Sequence, residues 1–361
     1  MIFRREKGCG KRKQMGKKVT IQDIADELGL SRNTVSKALN NAPGLADDTR
    51  ERIIQKAMDM GYKQFAFLAS EQALRATGLP EPLAGAPNEM ALLTTRFLDR
   101  DHFASLTLDA LQNDLSRRGY VLNTHRVTTQ DIASLELPLT VKLDKVAAFV
   151  CIEVFDRDYA DMICNLDIPA LFMDGPAKLD GYRLRSDQIY MNNSEEIKRL
   201  VYETVARGIT RIGFIGDWSH CQSFLERYEA FRIAMIHAHA SVDEAHCIKA
   251  NKAARIQNVL SSLDELPEFF VCANDFVAFE AQRALRKLGL NVPDDIMLSG
   301  FDDSSASRHW IPSLTTIHIH TQSIAYSAMQ LLVTRLQEPT LEYREVYANT
   351  DLIYRDSTRR D

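Results

Sequence analysis

The chain has 361 residues, a formal net charge of −5 and 26% charged residues. This length is too great for one ordinary domain and predicts two or three. No apolar run reaches the roughly 18 residues that span a bilayer. The first residues carry charges without the apolar region of a secretory signal. We therefore expect a cytoplasmic protein that has no contact with a membrane.

The charge is unevenly distributed along the chain. Residues 1–64 carry 14 Lys and Arg against 8 Asp and Glu, a net of +6, and the remainder carries 30 against 41, a net of −11. A basic head favours binding to a polyanion, although a solvated basic tail would give a similar count. We expect residues 1–16 to form a disordered basic extension, with Met15 as an alternative start. The six cysteines are scattered without a CxxC pair and indicate reduced thiols.

The stretch TIQDIADELG is the first with helical periodicity. Thr20 and Asp23 have the spacing of a capping box, and Gly29 ends the helix where a positive φ is favourable. The apolar residues recur at spacings of three, four and seven, on one helical face: Ile21, Ile24, Ala25 and Leu28.

Two further short helices follow. Ser31 is suited to cap the second helix, and Asp47 or Asp48 opens the third, which Gly61 ends. Three short helices with a glycine at the first turn indicate a helix-turn-helix unit. The inward residues are Val35, Ala38 and Leu39 in the second helix and Ile53, Ile54, Ala57, Met58 and Met60 in the third.

The outer face of the second helix is polar. It carries Arg32, Asn33, Ser36 and Lys37. Arginine pairs two ways with guanine and asparagine two ways with adenine, while lysine binds a guanine edge or a phosphate. A solvated face is the general alternative for a polar helix, but the preceding amphipathic helix, the glycine turn and the basic head favour DNA binding.

The run VTIQDIADELGLSRNTVSKALNNAPGLADDTRERIIQKAMDMGY resembles the DNA-binding headpiece of the LacI/GalR family of bacterial transcription regulators. The resemblance implies a DNA-binding domain over residues 17–63, and a homodimer that binds a near-palindromic operator in double-stranded DNA. It implies that Arg32, Asn33 and Lys37 contact bases and that Asn40 supports backbone contacts. It assigns phosphate contacts to Thr20, Ser31, Thr34 and Ser36.

Residues 64–88 are expected to form a hinge and linker. Members of the family usually carry here a Pro-Asn-x-x-Ala-x-x-Leu pattern whose leucine wedges into the minor groove. This chain lacks the Pro and Asn, and Glu71 stands where the leucine would fall. Leu68 or Leu74 is available as a substitute. The Pro- and Gly-rich piece over residues 78–87 indicates a flexible connector.

From residue 89 onward, short apolar runs alternate with longer amphipathic segments, which predicts βαβ units and parallel sheets. Ligands of such sheets bind at the carboxyl ends of the strands. The residues that follow the predicted strands are 96–99, Asp174, Asp217, Trp218, Asn274, Asp275, Asp302 and Asp303.

An Asp or Asn between a strand and a helix is more often an N-cap than a ligand contact. Asp275 in particular has the position of a cap for the helix that follows. The repetition of such residues at strand ends, with aromatic residues nearby, nevertheless favours a polyhydroxylated ligand. Carboxylates and amides pair its hydroxyls, and aromatic rings stack on its C–H faces.

The blocks FFVCANDFVAFEAQRALRKLGLNVPDDIMLSGFDD and IPSLTTIHIH resemble the LacI/GalR effector domain, which is similar to periplasmic sugar-binding proteins. The resemblance implies two doubly wound lobes over residues 89–361, a small-molecule effector of the sugar class between them, and dimer contacts that include helix 104–118. Arg227 would grip effector hydroxyls or a carboxylate, and Trp218 is either an aromatic platform or a packing residue. The remaining cleft residues would be His102, Phe103, Asp174, Asn274 and Asp302.

Two other classes of protein would fit parts of the sequence. A solute-binding protein of the transport type fits the second domain alone, predicts a signal peptide and has no use for the headpiece. An enzyme would need a catalytic cluster, and the sequence has no GxSxG, HExxH or P-loop motif. The pairs His237/His239 and His318/His320 supply only two metal ligands each. We therefore predict neither catalytic residues, nor a cofactor, nor a bound metal.

Overall fold

The computed structural model describes residues 19–39, 49–50, 52–53, 56–57, 60, 86–96 and 103–359. Contacts within the chain divide it into two compact units, Met1–Gly78 and Leu79–Asp361. The predicted extension over residues 1–16 and the hinge residues 64–85 lie outside the described residues.

The first unit contains helices α1 (Ile21–Leu28) and α2 (Arg32–Leu39). The Thr20 hydroxyl accepts a hydrogen bond from the N–H of Asp23 and the Asp23 carboxylate accepts one from the N–H of Thr20, so the predicted capping box is present. Gly29 has φ 64°, the left-handed conformation that ends α1. The buried residues are Ile24, Ala25, Val35, Ala38, Ile53 and Ala57, so the described part of the predicted third helix completes this small core.

The second unit has two lobes. The first lobe contains a six-stranded sheet in which all pairings are parallel and the strand order is β11-β5-β4-β3-β1-β2. The strands are β1 (Glu89–Thr94), β2 (Val121–Arg126), β3 (Val146–Ile152), β4 (Ala170–Met173), β5 (Asp187–Met191) and β11 (Glu345–Ala348). Its helices are α3 (Phe103–Ser116), α4 (Thr129–Ser134), α5 (Arg157–Cys164) and α11 (Thr321–Gln337).

The second lobe contains a parallel sheet with the order β7-β6-β8-β9. Its strands are β6 (Ile212–Ile215), β7 (Cys247–Ile248), β8 (Phe269–Cys272) and β9 (Met297–Ser299), and an antiparallel pair is formed by β10 (Thr316–Ile319) and β12 (Thr350–Ile353). Its helices are α6 (Glu195–Ala206), α7 (Gln222–His237), α8 (Ala253–Leu260), α9 (Asp275–Lys287) and α10 (Ser305–His309).

Three connections join the lobes: β5 to α6, β10 to α11, and β11 to β12. Two of these connections are joined by hydrogen bonds. Asn192 N donates to Ala348 O over 2.7 Å, and the side-chain Oγ1 of Thr350 donates to Asn192 O over 3.0 Å. The hinge between the lobes therefore consists of several chain segments, two of which are hydrogen-bonded to each other.

Both sheets reverse their strand order at an internal point, between β1 and β3 in the first lobe and between β6 and β8 in the second. The loops after such a pair diverge and leave a crevice at the carboxyl ends of the strands. This topology confirms the predicted doubly wound lobes. Among the described helices, none is both long enough and apolar enough to cross a bilayer.

Candidate functional site

The polar face of α2 is the first candidate site. Arg32, Asn33 and Lys37 are exposed, whereas Val35 and Ala38 on the opposite face are buried in the headpiece core. Neither Arg32 nor Lys37 forms an ion pair with another described residue. All three predicted base-contacting side chains are therefore displayed on one surface of a short helix that is fixed by its apolar face.

The predicted phosphate contacts have local structural roles as well. Ser31 Oγ accepts from the N–H of Thr34 over 3.0 Å and lies 2.8 Å from Thr34 Oγ1, so Ser31 caps α2 as predicted. Thr20 caps α1. Ser36 is half-buried, and Asn40 lies outside the described residues. The contacts of these side chains with DNA stay predictions.

The second candidate site lies between the two lobes and begins at Asp174, which follows β4. Its carboxylate accepts from Gly175 N over 2.8 Å and from Ser223 N over 3.2 Å. Ser223 is in the first turn of α7, where the helix dipole favours a negative charge. Burial raises the pKa of Asp174 to about 6, although these hydrogen bonds and Arg227 act in the opposite direction. A carboxylate of the first lobe thus caps a helix of the second.

Further hydrogen bonds join the loop after β4 to the start of α7. Gln222 N donates to Gly175 O over 2.9 Å, and Lys178 N donates to Gln222 Oε1 over 2.8 Å. One turn along α7, Glu226 accepts from the hydroxyl of Tyr347 on β11 over 2.9 Å. The two lobes therefore meet through the first two turns of α7.

Arg227 is in the centre of this contact and is only 2% exposed. Its Nε donates to Asn193 Oδ1 over 2.9 Å and its Nη1 donates to Ala273 O over 2.7 Å. The same Nη1 lies 3.8 Å from Asp302 Oδ1, and the guanidinium carbon lies 3.5 Å above the Phe301 ring centroid. The structure brings Arg227, Asp302 and Asp174 together, as the sequence predicts.

Asn274, and not Asp275, caps the helix that follows β8. Asn274 Oδ1 accepts from Val277 N over 2.9 Å and is the N-cap of α9, so the prediction that Asp275 caps this helix is wrong. Asp275 is instead buried, and its carboxylate accepts from Ser304 N and Oγ over 2.8 Å and from Thr316 Oγ1 over 2.5 Å. Burial, and next the charge of Asp302, raises the pKa of Asp275 to about 7.

Asp302 and Asp303 also differ in role. Asp302 is partly exposed beside Arg227 and has φ 120°. Asp303 is buried and binds Arg308 Nη2 over 2.7 Å and His318 Nδ1 over 3.0 Å, with Arg355 as a third partner. These partners hold the pKa of Asp303 well below its usual range despite its burial. Asp303 therefore stabilises the second lobe through these three partners, whereas Asp302 lies beside Arg227.

Trp218 and Asp217 follow β6, and both side chains contact other residues of the second lobe. The Trp218 ring is stacked on Tyr228 with a centroid distance of 4.1 Å and an interplanar angle of 9°. Asp217 accepts from Ser219 Oγ over 2.7 Å and lies 3.7 Å from Lys249 Nζ. The packing interpretation of Trp218 is thus supported by its stacking. His102 and the side chain of Phe103 lie outside the described residues.

Several cleft residues were missed by the sequence analysis. Phe155, which follows β3, makes an edge-to-face contact with His220, with 4.9 Å between the ring centroids. The centroid of the His220 ring lies 5.6 Å from that of Phe224 on α7. Asn193, at the first connection between the lobes, binds Arg227 and also donates to Ser223 Oγ and Glu226 Oε2. Phe155 could have been found by the strand-end rule, whereas Asn193 carries no comparable signal.

Both members of the histidine pair His318/His320 contact carboxylates. His318 binds Asp303, and His320 Nε2 lies 3.0 Å from Asp351 Oδ2. Over the described ranges, no group of three or more metal-ligating side chains comes together. The five described cysteines are unpaired, and burial raises the pKa of Cys247 to about 11 and keeps its thiol protonated.

Two family models match the chain. The model of bacterial regulatory proteins of the lacI family matches residues 20–64, and that of a periplasmic binding protein-like domain matches residues 201–358. The HTH-type transcriptional repressor PurR of Vibrio vulnificus is 23% identical over 350 residues, covering 94% of this chain and 99% of that protein. PurR of Actinobacillus pleuropneumoniae is 26% identical over 351 residues, covering 94% and 98%.

Solved structures show the same fold. A complex of the transcriptional regulator CelR with cellobiose has a TM-score of 0.65 at 20% identity and covers 94% of this chain and 100% of its own. The lac repressor dimer bound to operator and the anti-inducer ONPF has a TM-score of 0.61 at 20% identity and covers 95% and 99%.

Proposed function

We propose that this chain, which belongs to the LacI family of bacterial regulatory proteins, represses transcription from a DNA operator under the control of a small molecule bound between its lobes. The observation that carries the proposal is the display of Arg32, Asn33 and Lys37 on one exposed face of α2, in a chain whose second unit has a cleft. A solute-binding protein or an enzyme would have no use for that face.

The headpiece would read DNA in the major groove. Arg32 and Asn33 lie in the first turn of α2, and the first turn of a recognition helix is the part that reaches base edges. Lys37 would meet a base edge or a phosphate. Phosphate contacts would come from Thr20, Ser31, Thr34 and Ser36, and the net charge of +6 over residues 1–64 would add long-range attraction.

The domain division that we propose is a DNA-binding domain over residues 17–63, a hinge over 64–88 and an effector and dimerisation domain over 89–361. A homodimer would place two headpieces on a near-palindromic operator in the cytoplasm. Helix α3, with Leu106 exposed, is the proposed contact of the first lobe with the partner subunit.

The effector would be a sugar or a sugar derivative in the cleft. Its proposed contacts are Asp174, Arg227, Asn274 and Asp302, together with Phe103 and His102; Trp218 would contribute a ring edge. Because Asp174, Gly175 and Lys178 of the first lobe bind α7 of the second, a ligand here would change the relative position of the lobes. Linkage then requires operator and effector to change each other's affinity by the same factor.

Selection of operators from randomised DNA duplexes tests the proposal with the full chain. We expect one near-palindromic sequence to be enriched, with each half-site read by one headpiece. The Arg32→Ala and Asn33→Ala variants should each lose about 1–3 kcal/mol of binding free energy on that sequence, and each should relax the preference at one base pair. Lys56→Ala is the matched control, because Lys56 also carries a positive charge on the headpiece but is paired with Glu27 at 2.8 Å.

Enrichment of no sequence, or equal losses for Arg32→Ala and Lys56→Ala on every duplex, would reject sequence-specific reading by α2. The measurement is fluorescence anisotropy of labelled duplexes at a fixed salt concentration, since affinity for DNA falls steeply with salt.

A further inference from the structure

The charges around Arg227 define what the cleft can bind. We propose that the cleft takes an uncharged or cationic ligand rich in hydrogen-bond donors and excludes anionic ligands such as sugar phosphates and uronates. This inference rests on the proposed effector role of the cleft and narrows the class of effector.

Arg227 is already engaged by the protein. Two of its three guanidinium nitrogens donate to Asn193 and to Ala273 O, and its charge faces Asp302 at 3.8 Å. Phe301 covers one face of the guanidinium. An anion could bind Arg227 only by displacing Asp302 or by adding a further negative charge beside it. Both cost free energy in a buried site, where a charge that loses its partner is poorly solvated.

Among the described residues around Arg227, carboxylates outnumber cations. Asp302, Asp174 and Glu226 all act on the charge of Arg227, and Asp275 lies close enough to Asp302 for the two to repel each other. Three acidic side chains therefore act on one guanidinium, and Asp275 lies behind them beside Asp302. A phosphate group would face this negative potential beside an almost fully buried guanidinium, where charges are screened less than at the surface.

The cations at the rim do not reverse that balance. Lys178 Nζ is 2.6 Å from Glu345 Oε1, and Arg96 Nε is 3.6 Å from Glu153 Oε2. Both of these described cations have a carboxylate partner, so an arriving anion would have to compete with that partner.

The same arrangement favours a ligand that carries many hydrogen-bond donors. Carboxylates accept hydrogen bonds from hydroxyl and amino groups, and such charge-assisted bonds are about twice as strong as neutral ones. The rings of Phe155 and Phe224 add apolar surface near the start of α7, against which the C–H face of a sugar ring can pack.

Inorganic phosphate is the probe for the first experiment. The full-length protein and the Asp302→Asn and Asp302→Asn/Arg227→Gln variants are melted at increasing phosphate and constant ionic strength. We expect no saturable stabilisation of the unsubstituted protein. Asp302→Asn removes the charge that faces Arg227, so it should gain a saturable rise of about 3 °C at a tenfold excess over Kd. The double variant should lose this rise.

Saturable stabilisation of the unsubstituted protein that disappears in the double variant would overturn the proposal. If Asp302→Asn does not fold, Asp174→Asn removes a second of the three carboxylates that act on Arg227 and is read in the same way, with Asp174→Asn/Arg227→Gln as its double variant. Failure of Asp302→Asn and Asp174→Asn alike to gain phosphate binding, when folded, would also reject the role assigned to these carboxylates.

A second experiment compares glucose, glucosamine, glucose 6-phosphate and glucuronate by thermal shift on the full-length protein. A larger shift with either anionic sugar than with its neutral parent would overturn the proposal, and a larger shift with glucose or glucosamine would support it. When none of the four shifts the protein, the phosphate experiment decides. Operator binding is measured in parallel, because its loss would reject the proposed function and would leave the charge selectivity of the cleft unchanged.

Discussion

The carboxylate of Asp174 accepts a hydrogen bond from the backbone N–H of Ser223 across 3.2 Å, and this bond joins the first lobe to the helix that carries Arg227. A residue at the end of one sheet thereby completes the N-terminus of a helix on the other. The contact between the lobes at this point therefore includes a buried titratable carboxyl.

The Asp174→Asn variant should change the pH dependence of stability. Burial raises the pKa of Asp174 to about 6 in the folded protein, above the value of about 3.9 for an unfolded chain. The folded state therefore favours the protonated acid, and Asp174 contributes less stability as the pH rises from about 4 through 6. Asparagine keeps the acceptor oxygen without the proton equilibrium. Relative to this variant, the unsubstituted protein should gain about 2 kcal/mol between pH 7.5 and 4.5.

Denaturant unfolding of both proteins across that pH range measures the difference. Asp275 titrates in both proteins and cancels in the comparison. A difference in stability that is constant with pH would show that Asp174 is ionised throughout, and would contradict the prediction.

Arg227→Ala should be strongly destabilising even without a ligand. It removes the partner of Asn193 Oδ1, of Ala273 O and of Asp302 in a site that is almost fully buried. Breaking a buried charged pair from one side costs about 3–5 kcal/mol. Arg232→Ala on the same helix is the control, since its partner Glu244 is largely exposed and an exposed pair contributes less than about 1 kcal/mol.

Urea unfolding followed by circular dichroism compares the two variants. Equal losses of unfolding free energy in the two variants would mean that Arg227 contributes no more to stability than a surface arginine does. A ligand test with Arg227→Ala must therefore be paired with this measurement, because a partly unfolded protein would lose its ligand response for the wrong reason.

The doubly wound lobes could be predicted because alternating apolar and amphipathic segments are local signals. The carboxyl-end rule likewise found Asp174 and Asp302. It could not separate Asp302 from Asp303, whose side chains have different partners; both residues adopt positive φ, 120° and 51°. Backbone conformations of that kind are set by the fold and not by residue type.

The one-residue error in the predicted N-cap, Asp275 in place of Asn274, has a similar cause. Both residue types are good N-caps, and a shift of one position along the chain sends one side chain to the helix end and the other into the core. Strand β11 pairs with β5, as in Glu345 with Gln188, although the two lie far apart in sequence. Contacts of this range, like those of Asn193, leave no pattern in the sequence near them.

Lys37→Ala should separate phosphate contact from base contact on the headpiece. Lys37 is exposed on the last turn of α2. If it binds a phosphate, its loss should weaken operator binding about equally on all duplexes and reduce the slope of log K against log salt by about one. Lys56→Ala should leave the slope unchanged. An unchanged slope for Lys37→Ala with a relaxed preference at one base pair would assign Lys37 to a base edge.

Gly300 lies before Phe301 and Asp302, at a point where the backbone passes close to Asp275. A Cβ at this position would lie 2.2 Å from Asp275 Oδ1 and 3.0 Å from Asp275 Cα, and 2.9 Å from Leu314 Cδ2. Gly300→Ala should therefore push Asp275 away from Ser304 and Thr316 and destabilise the protein by about 1–3 kcal/mol. Gly175→Ala is the matched control, because its Cβ would meet atoms only at 3.5 Å and beyond. Denaturant unfolding of both variants tests the prediction, and equal stability of the two would show that the approach of Asp275 does not require glycine.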